Sequence, residues 1–287
     1  MKVKFFEMAG LLIACVGLIP VPALAQKNDG WGGYEYKGYR QPCSPLCIGA
    51  SASWVVNDIS YSASNPASES YLQWIGIAEV NGPPGCPGSC LGQFGTGANI
   101  SHDGRKRFYA WYELFCRTGS PCFNLTTVEG FAINPGDRIT ATMTCITGCT
   151  KNNPAQQWSL TLLNLTRQRT WTRTVNWPLA LELVHYVIEP VSQTGTADFG
   201  VSGFFDARVN QGDGLAPAHL TMAGNVFGHS GSGPNERFVI AGRPFGPSSS
   251  SFDVCYTKTP PFLGTACDAG PNGGGGGGMR KRRQWSR

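Results

Sequence analysis

The sequence predicts an all-β protein, an antiparallel sandwich of two sheets stapled by disulfides. Three observations lead there. Glycine (38) and proline (20) are abundant among the 287 residues while charged residues make up only 14%, which suits many short strands joined by turns better than long solvated helices. No stretch after residue 25 sustains an apolar 3.6-residue period, whereas β-branched and aromatic runs recur between turn pairs such as Asn81-Gly82 and Pro135-Gly136. The cysteines fall in close pairs, as in chains folded outside the cytosol. With 41% hydrophobic residues the chain can bury a sizeable core.

Taken in order, residues 1–25 read as a signal peptide: Lys2 and Lys4, an apolar run from Met8 to Leu24, and Ala23-Leu24-Ala25 as a cleavage site before Gln26. A rival reading makes Leu12-Ile13-Ala14-Cys15 a lipobox and Cys15 a lipid anchor, but it would cut the apolar run in half. The expected destination is secreted or periplasmic, with no membrane attachment after signal removal. Residues 26–49 form a turn-rich, cysteine-clipped lead. Residues 50–268 are read as one β-sandwich, with strands at 52–59, 71–80, 106–115, 138–145, 158–165, 170–177, 184–191 and 200–209. Residues 269–287 carry an unbroken glycine run from Gly273 to Gly278 and then a basic end, a disordered tail.

Without Cys15 ten cysteines remain: Cys43/Cys47, Cys86/Cys90, Cys116/Cys122, Cys145/Cys149 and Cys255/Cys267. Local pairing into five disulfides is the expectation, although ten cysteines permit many connectivities. No spacing is C-x2-C and no histidine lies close to a pair in sequence, so no metal is expected. The net charge of +5 belongs to the tail, where Arg280, Lys281, Arg282, Arg283 and Arg287 stand without an acid. The remainder is neutral, which removes the argument for nucleic acid.

Chemistry concentrates on a few strands. Period two puts Tyr109, Trp111 and Glu113 on one face of the strand at 106–115, and His185, Val187 and Glu189 on one face of the strand at 184–191. Each face thus carries a carboxylate among apolar neighbours, a setting that perturbs acid strength and is common in active sites. Gln93, in Leu91-Gly92-Gln93-Phe94-Gly95, adds an amide that does not titrate.

These residues resemble the glutamic peptidases of the eqolisin type. The matches run in order through Trp31-Gly32-Gly33, Trp74-Ile75-Gly76-Ile77, Leu91-Gly92-Gln93-Phe94-Gly95 and Tyr109-Ala110-Trp111-Tyr112-Glu113. They continue through Ile133-Asn134-Pro135-Gly136-Asp137-Arg138-Ile139, Leu163-Asn164-Leu165-Thr166, Tyr186-Val187-Ile188-Glu189 and Ala197-Asp198-Phe199-Gly200. The resemblance implies a concanavalin A-like sandwich with a cleft on one sheet, polypeptide substrates, a monomer and no cofactor. It maps a catalytic dyad onto Gln93 and Glu189, with Trp74, Trp111, Glu113, Tyr109 and His185 lining the cleft or supporting the dyad. Together the two would hold and activate a water: Glu189 would act as general base and then acid, and Gln93 would orient that water and stabilise the oxyanion, at acid pH where a histidine base is protonated.

Three departures stand out. Ala78 occupies the family's usual aspartate position after Trp-x-Gly-Ile, His185 a position often glutamate, and Tyr109 one often aspartate. Two other readings stay open: a lectin-like sandwich that binds carbohydrate without cutting, and a glycoside hydrolase using Glu113 and Glu189, whose carboxyls would then stand about 5 to 9.5 Å apart.

Overall fold

The computed structural model describes residues 26–27, 32–36, 46–62, 68–78, 90–116, 125–150, 153–179, 181–189, 195–220, 224–230, 238–241, 244 and 246–257. The expected signal peptide, most of the lead and the basic tail lie outside them. The described residues are almost entirely strand: β1 (Gln26–Lys27), β2 (Gly32–Tyr36), β3 (Gly49–Val55), β4 (Ser68–Ala78), β5 (Cys90–Ser101), β6 (Lys106–Cys116), β7 (Thr126–Thr127), β8 (Arg138–Thr147), β9 (Gln157–Asn164), β10 (Arg169–Asn176), β11 (Leu183–Glu189), β12 (Gly195–Thr196), β13 (Val201–Asn210), β14 (Leu215–Pro217), β15 (Gly224–Ser230), β16 (Phe238–Ala241) and β17 (Phe252–Thr257).

They form two sheets. One runs β7-β6-β5-β4-β11-β2-β15-β16-β17 and ends on the first half of β13. The other runs β10-β9-β8-β3 and continues through the second half of β13 to β14. β13 changes sheets at an irregularity between Phe205 and Arg208, where Asp206 has φ +52°. A bulge of this kind bends a strand sharply enough to turn such a corner.

The second sheet shows why the sequence reads as a sandwich. Along β9 every other residue is buried, so Trp158, Leu160 and Leu162 face inward, the pattern of a sheet with one dry face. β10 at its edge is largely exposed and carries Arg169 and Arg173, charges that discourage pairing with another chain. Between the sheets lies one core, with Trp54, Ile75, Phe94, Tyr112, Trp158, Trp177, Tyr186, Phe204 and Phe252 among its members.

All eight expected strands are present, with ends shifted by a few residues. β2, within the stretch expected as a turn-rich lead, is instead an interior strand between β11 and β15.

Of the five expected local disulfides, Cys145–Cys149 is formed, with a Cα–Cα distance of 5.7 Å. Cys47, Cys90 and Cys255 are disulfide-bonded too, but their expected partners Cys43, Cys86 and Cys267 lie outside the described residues. Cys122, the partner expected for Cys116, also lies outside them. The pairings Cys43/Cys47, Cys86/Cys90, Cys116/Cys122 and Cys255/Cys267 are therefore not among the bridges described, and they stand as expectations from spacing alone.

Two of the sequence motifs serve the scaffold. The carboxylate of buried Asp137, after the β8 turn, accepts from Asn164 Nδ2 at 2.8 Å, Arg167 Nε at 2.7 Å and the Asn134 backbone N–H at 3.0 Å. Burial works against the charge, but these donors outweigh it and hold Asp137 below the usual carboxylate range.

Candidate active site

β4 and β5 are buried along both faces. One face meets the sandwich core; the other carries a second apolar cluster of Leu72, Trp74, Ala78, Leu91, Tyr109, Trp111, Leu183 and Val187, with Leu125 packed against it. Every cleft or catalytic residue expected from the sequence sits on this second face, in three rows that the strand register lines up.

The first row crosses the strands as Glu113 on β6, Gln93 on β5, Gly76 on β4, His185 on β11 and Glu35 on β2. The second is Trp111, Gly95, Trp74, Val187 and Gly33. The third is Tyr109, Gly97, Leu72 and Glu189. Glycines recur because the large side chains need their space. A Cβ on Gly95 would lie 2.1 Å from the Gln73 carbonyl oxygen and 2.9 Å from the Trp74 Cβ, and one on Gly97 would lie 2.6 Å from Leu72 Cδ2 and 2.8 Å from the Tyr109 ring.

Trp74 is the centre of the face. Its ring reaches over Gly76, where a Cβ would stand 3.0 Å from Trp74 Cζ3. Its Nε1–H donates to Glu189 Oε1 at 3.1 Å, and its ring centroid lies 6.3 Å from that of His185. Glu189 is half-buried at the end of β11, opposite Leu72.

Gln93 is held by a different acid. Its Nε2 donates to Glu113 Oε2 at 2.8 Å, while its Oε1 is buried without a partner among the described residues. Trp111 Nε1, on the neighbouring row, is likewise buried and unpartnered there. Buried polar atoms without partners are costly. Burial makes Glu113 a weaker acid than an ordinary glutamate, an effect partly offset by donation from Gln93 and from the Leu125 backbone N–H. Burial pushes the Tyr109 hydroxyl up to about 12, so it remains an O–H, and it donates to Asn99 Oδ1 at 3.1 Å. Beyond Tyr109 the face ends at a cavity of about 250 Å³ lined by Ser68, Asn99, Ser101, Arg105, Lys106 and Arg107.

Gln93 and Glu189 share the face but do not touch. They stand four residues apart along the strands and two strands apart across them, about 16 Å between Cα atoms at ordinary sheet spacings. Extended side chains of this length each reach roughly 4.5 Å. Even extended toward each other they leave a gap wider than one bridging water spans, so the expected holding of a single water by both side chains does not fit this register. Glu113 and Glu189 are one strand further apart, about 20 Å at Cα, so that even side chains extended toward each other leave the carboxyls about 11 Å apart, beyond the spacing a glycoside hydrolase pair requires.

Sequence reading missed Glu35. It is 6% exposed and lies directly across from His185, itself 4% exposed. The signal was present in Gly33-Tyr34-Glu35-Tyr36, where alternation puts Glu35 opposite in direction to two core tyrosines. Among the described residues no group of three or more histidine, cysteine, aspartate or glutamate side chains could hold a metal ion, and no helix is long and apolar enough to cross a membrane.

The fold is shared with a solved structure, and two more were found at lower similarity. Scytalidoglutamic peptidase bound to a transition-state analogue superposes with TM-score 0.54 at 19% identity, over 80% of this chain and 99% of that one. SCP-B, an eqolisin in complex with the tripeptide Ala-Ile-His, gives 0.44 at 18% identity over 80% and 99%. Aspergilloglutamic peptidase from Aspergillus niger gives 0.43 at 20% identity over 66% and 99%. Among curated proteins none matches the chain by sequence. The model of the Peptidase A4 family matches residues 30–232, a span that contains all three rows of the buried face, and the chain therefore belongs to the Peptidase A4 family.

Proposed function

We propose that this chain is a secreted endopeptidase that cuts polypeptides at acid pH, with Glu189 and Gln93 acting from opposite sides of the scissile bond. The observation that carries the reading is the half-buried Glu189 carboxylate, held by the Trp74 N–H on the same face as Gln93. Glu189 takes a proton from water as the water oxygen bonds to the carbonyl carbon. The tetrahedral intermediate then expels the amine, which leaves with the proton from Glu189. Gln93 spends one Nε2 hydrogen on Glu113 and keeps the other for the developing oxyanion, a donor independent of pH. Trp111 and Tyr109 are buried on the same face and pack beside the site.

A second reading has its own support. The 2.8 Å contact between Gln93 and Glu113, whose carboxyl burial weakens as an acid, makes Glu113 an alternative base beside the amide it touches. Digestion of a denatured protein between pH 2 and 7, with and without pepstatin, separates the possibilities. Pepstatin-resistant cleavage abolished by both Glu189→Gln and Gln93→Ala supports the first reading. Cleavage that survives Glu189→Gln but not Glu113→Gln supports the second. A folded chain that cuts nothing and binds glycans through Trp111 overturns both and leaves the lectin-like reading.

A further inference from the structure

The first row of the face holds a buried acid and a buried histidine that the proposed chemistry does not use. Glu35 on β2 and His185 on β11 are directly opposite in an antiparallel pair and face the same way. Such pairs have Cβ atoms about 4.5–5.5 Å apart. Both residues are more than nine-tenths buried, where an ionised group is tolerated only beside a compensating charge or hydrogen bonds. Among the described residues, the strands beside His185 bring no other acid directly opposite it. β4 presents Trp74, Gly76 and Ala78 to it, and its own strand presents Leu183 and Val187. Glu189 lies four residues on, and Glu113 lies beyond Gln93 at the far end of the row. The other neighbour of Glu35 in the sheet is the position of Asn225 on β15.

We propose that Glu35 and His185 form a charge pair that seats the Trp74 ring, and through the Trp74 N–H the Glu189 carboxyl, so that site geometry follows the protonation of His185. The path runs from Glu35 to its register partner His185, from His185 to the Trp74 ring at 6.3 Å between centroids, and from Trp74 Nε1 to Glu189 at 3.1 Å. Imidazole is ordinarily protonated below about pH 6.5, so the pair is complete in mildly acid solution and is lost as His185 deprotonates. The two are positioning residues; neither touches the reacting atoms. The functional half of this inference rests on Glu189 being the base, but the pairing does not.

The test reads His185 directly. The chain has four histidines, and His185→Gln assigns the imidazole resonance by its disappearance. The midpoint of His185 is expected above the ordinary range in the native chain and lower by about 1 unit in Glu35→Gln, with Glu35→Asp restoring part of the shift. Should Glu35→Gln fail to fold, the tryptophan emission of the native chain carries the test: a step at the His185 midpoint that His185→Gln removes. In activity, the alkaline limb of kcat is expected to move down in Glu35→Gln by the same interval with KM unchanged, and His185→Gln should add nothing to Glu35→Gln. An unshifted His185 midpoint in Glu35→Gln, or a native emission step retained in His185→Gln, overturns the pair. A shifted midpoint in a chain that cuts no peptide leaves the pair standing and refutes the peptidase reading instead.

Discussion

Replacing Trp74 with phenylalanine tests the wiring of the site at one atom. Phenylalanine keeps most of the ring over Gly76 and removes the Nε1–H that donates to Glu189 at 3.1 Å. A hydrogen bond to a carboxylate contributes about 1.5–3 kcal/mol, and with Glu189 only half-buried the lower end applies. About 1.5 kcal/mol lost from the ionised form alone makes Glu189 a weaker acid, its titration midpoint higher by about 1 unit. The base must be ionised to take a proton from water. The acid limb of kcat/KM should therefore move up by about 1 unit, which is about a tenfold loss on that limb, while the plateau falls by less than about threefold. Steady-state cleavage of a fluorogenic peptide across the acid range measures it, with thermal unfolding as the control for folding. An acid limb that stays in place in a folded Trp74→Phe chain would show that Trp74 does not hold the catalytic carboxylate.

Further outcomes follow from the same structure. Asp137→Ala should destabilise the fold by about 2–3 kcal/mol, because Asn164, Arg167 and the Asn134 N–H all lose their acceptor; urea unfolding at pH 7 reads it. Because Asp137 stays ionised to lower pH in the fold than in the unfolded chain, its contribution is present above about pH 3.9 and is lost as pH falls through the folded value. The native chain should thus lose more stability below about pH 4 than Asp137→Ala does. Gly95→Ala drives a Cβ to 2.1 Å from the Gln73 carbonyl, a backbone clash worth about 3 kcal/mol or more, and a soluble variant with native melting temperature would contradict the register. Opening the Cys145–Cys149 bridge with a double serine substitution should cost about 2 kcal/mol by the loop-entropy model.

The regular parts of this fold are legible in the sequence because alternation survives there. β9 alternates buried and partly exposed residues, and the pattern places its ends within a residue or two. β5 is harder to delimit: Gly92, Gly95 and Gly97 are poor strand formers on their own, and only the Trp74, Leu72, Tyr109 and Trp177 side chains that fill their missing Cβ positions explain them. The opposition of Gln93 and Glu113 was within reach. The Asp103-Gly104 pair signals a turn, Gly104 has φ +83°, and counting back from Ile100 opposite Lys106 brings Gln93 across from Glu113. The pairing of β2 with β11 was not, because strands so distant in sequence are matched by the sheet and not by any turn, and so Glu35 escaped notice. The sheet change of β13 rests on the left-handed Asp206, which nothing nearby in sequence announces.

The direct test of the central claim is kcat for cleavage of one defined peptide across pH 2–7 by the native chain, Glu189→Gln and Glu113→Gln, each shown to be folded. With Glu189 as the base, Glu189→Gln should lose at least about a thousandfold, whereas Glu113→Gln, which only orients Gln93, should lose about ten- to a hundredfold. Substantial cleavage by Glu189→Gln, together with its loss in Glu113→Gln, would contradict the account and move the catalytic carboxylate to β6.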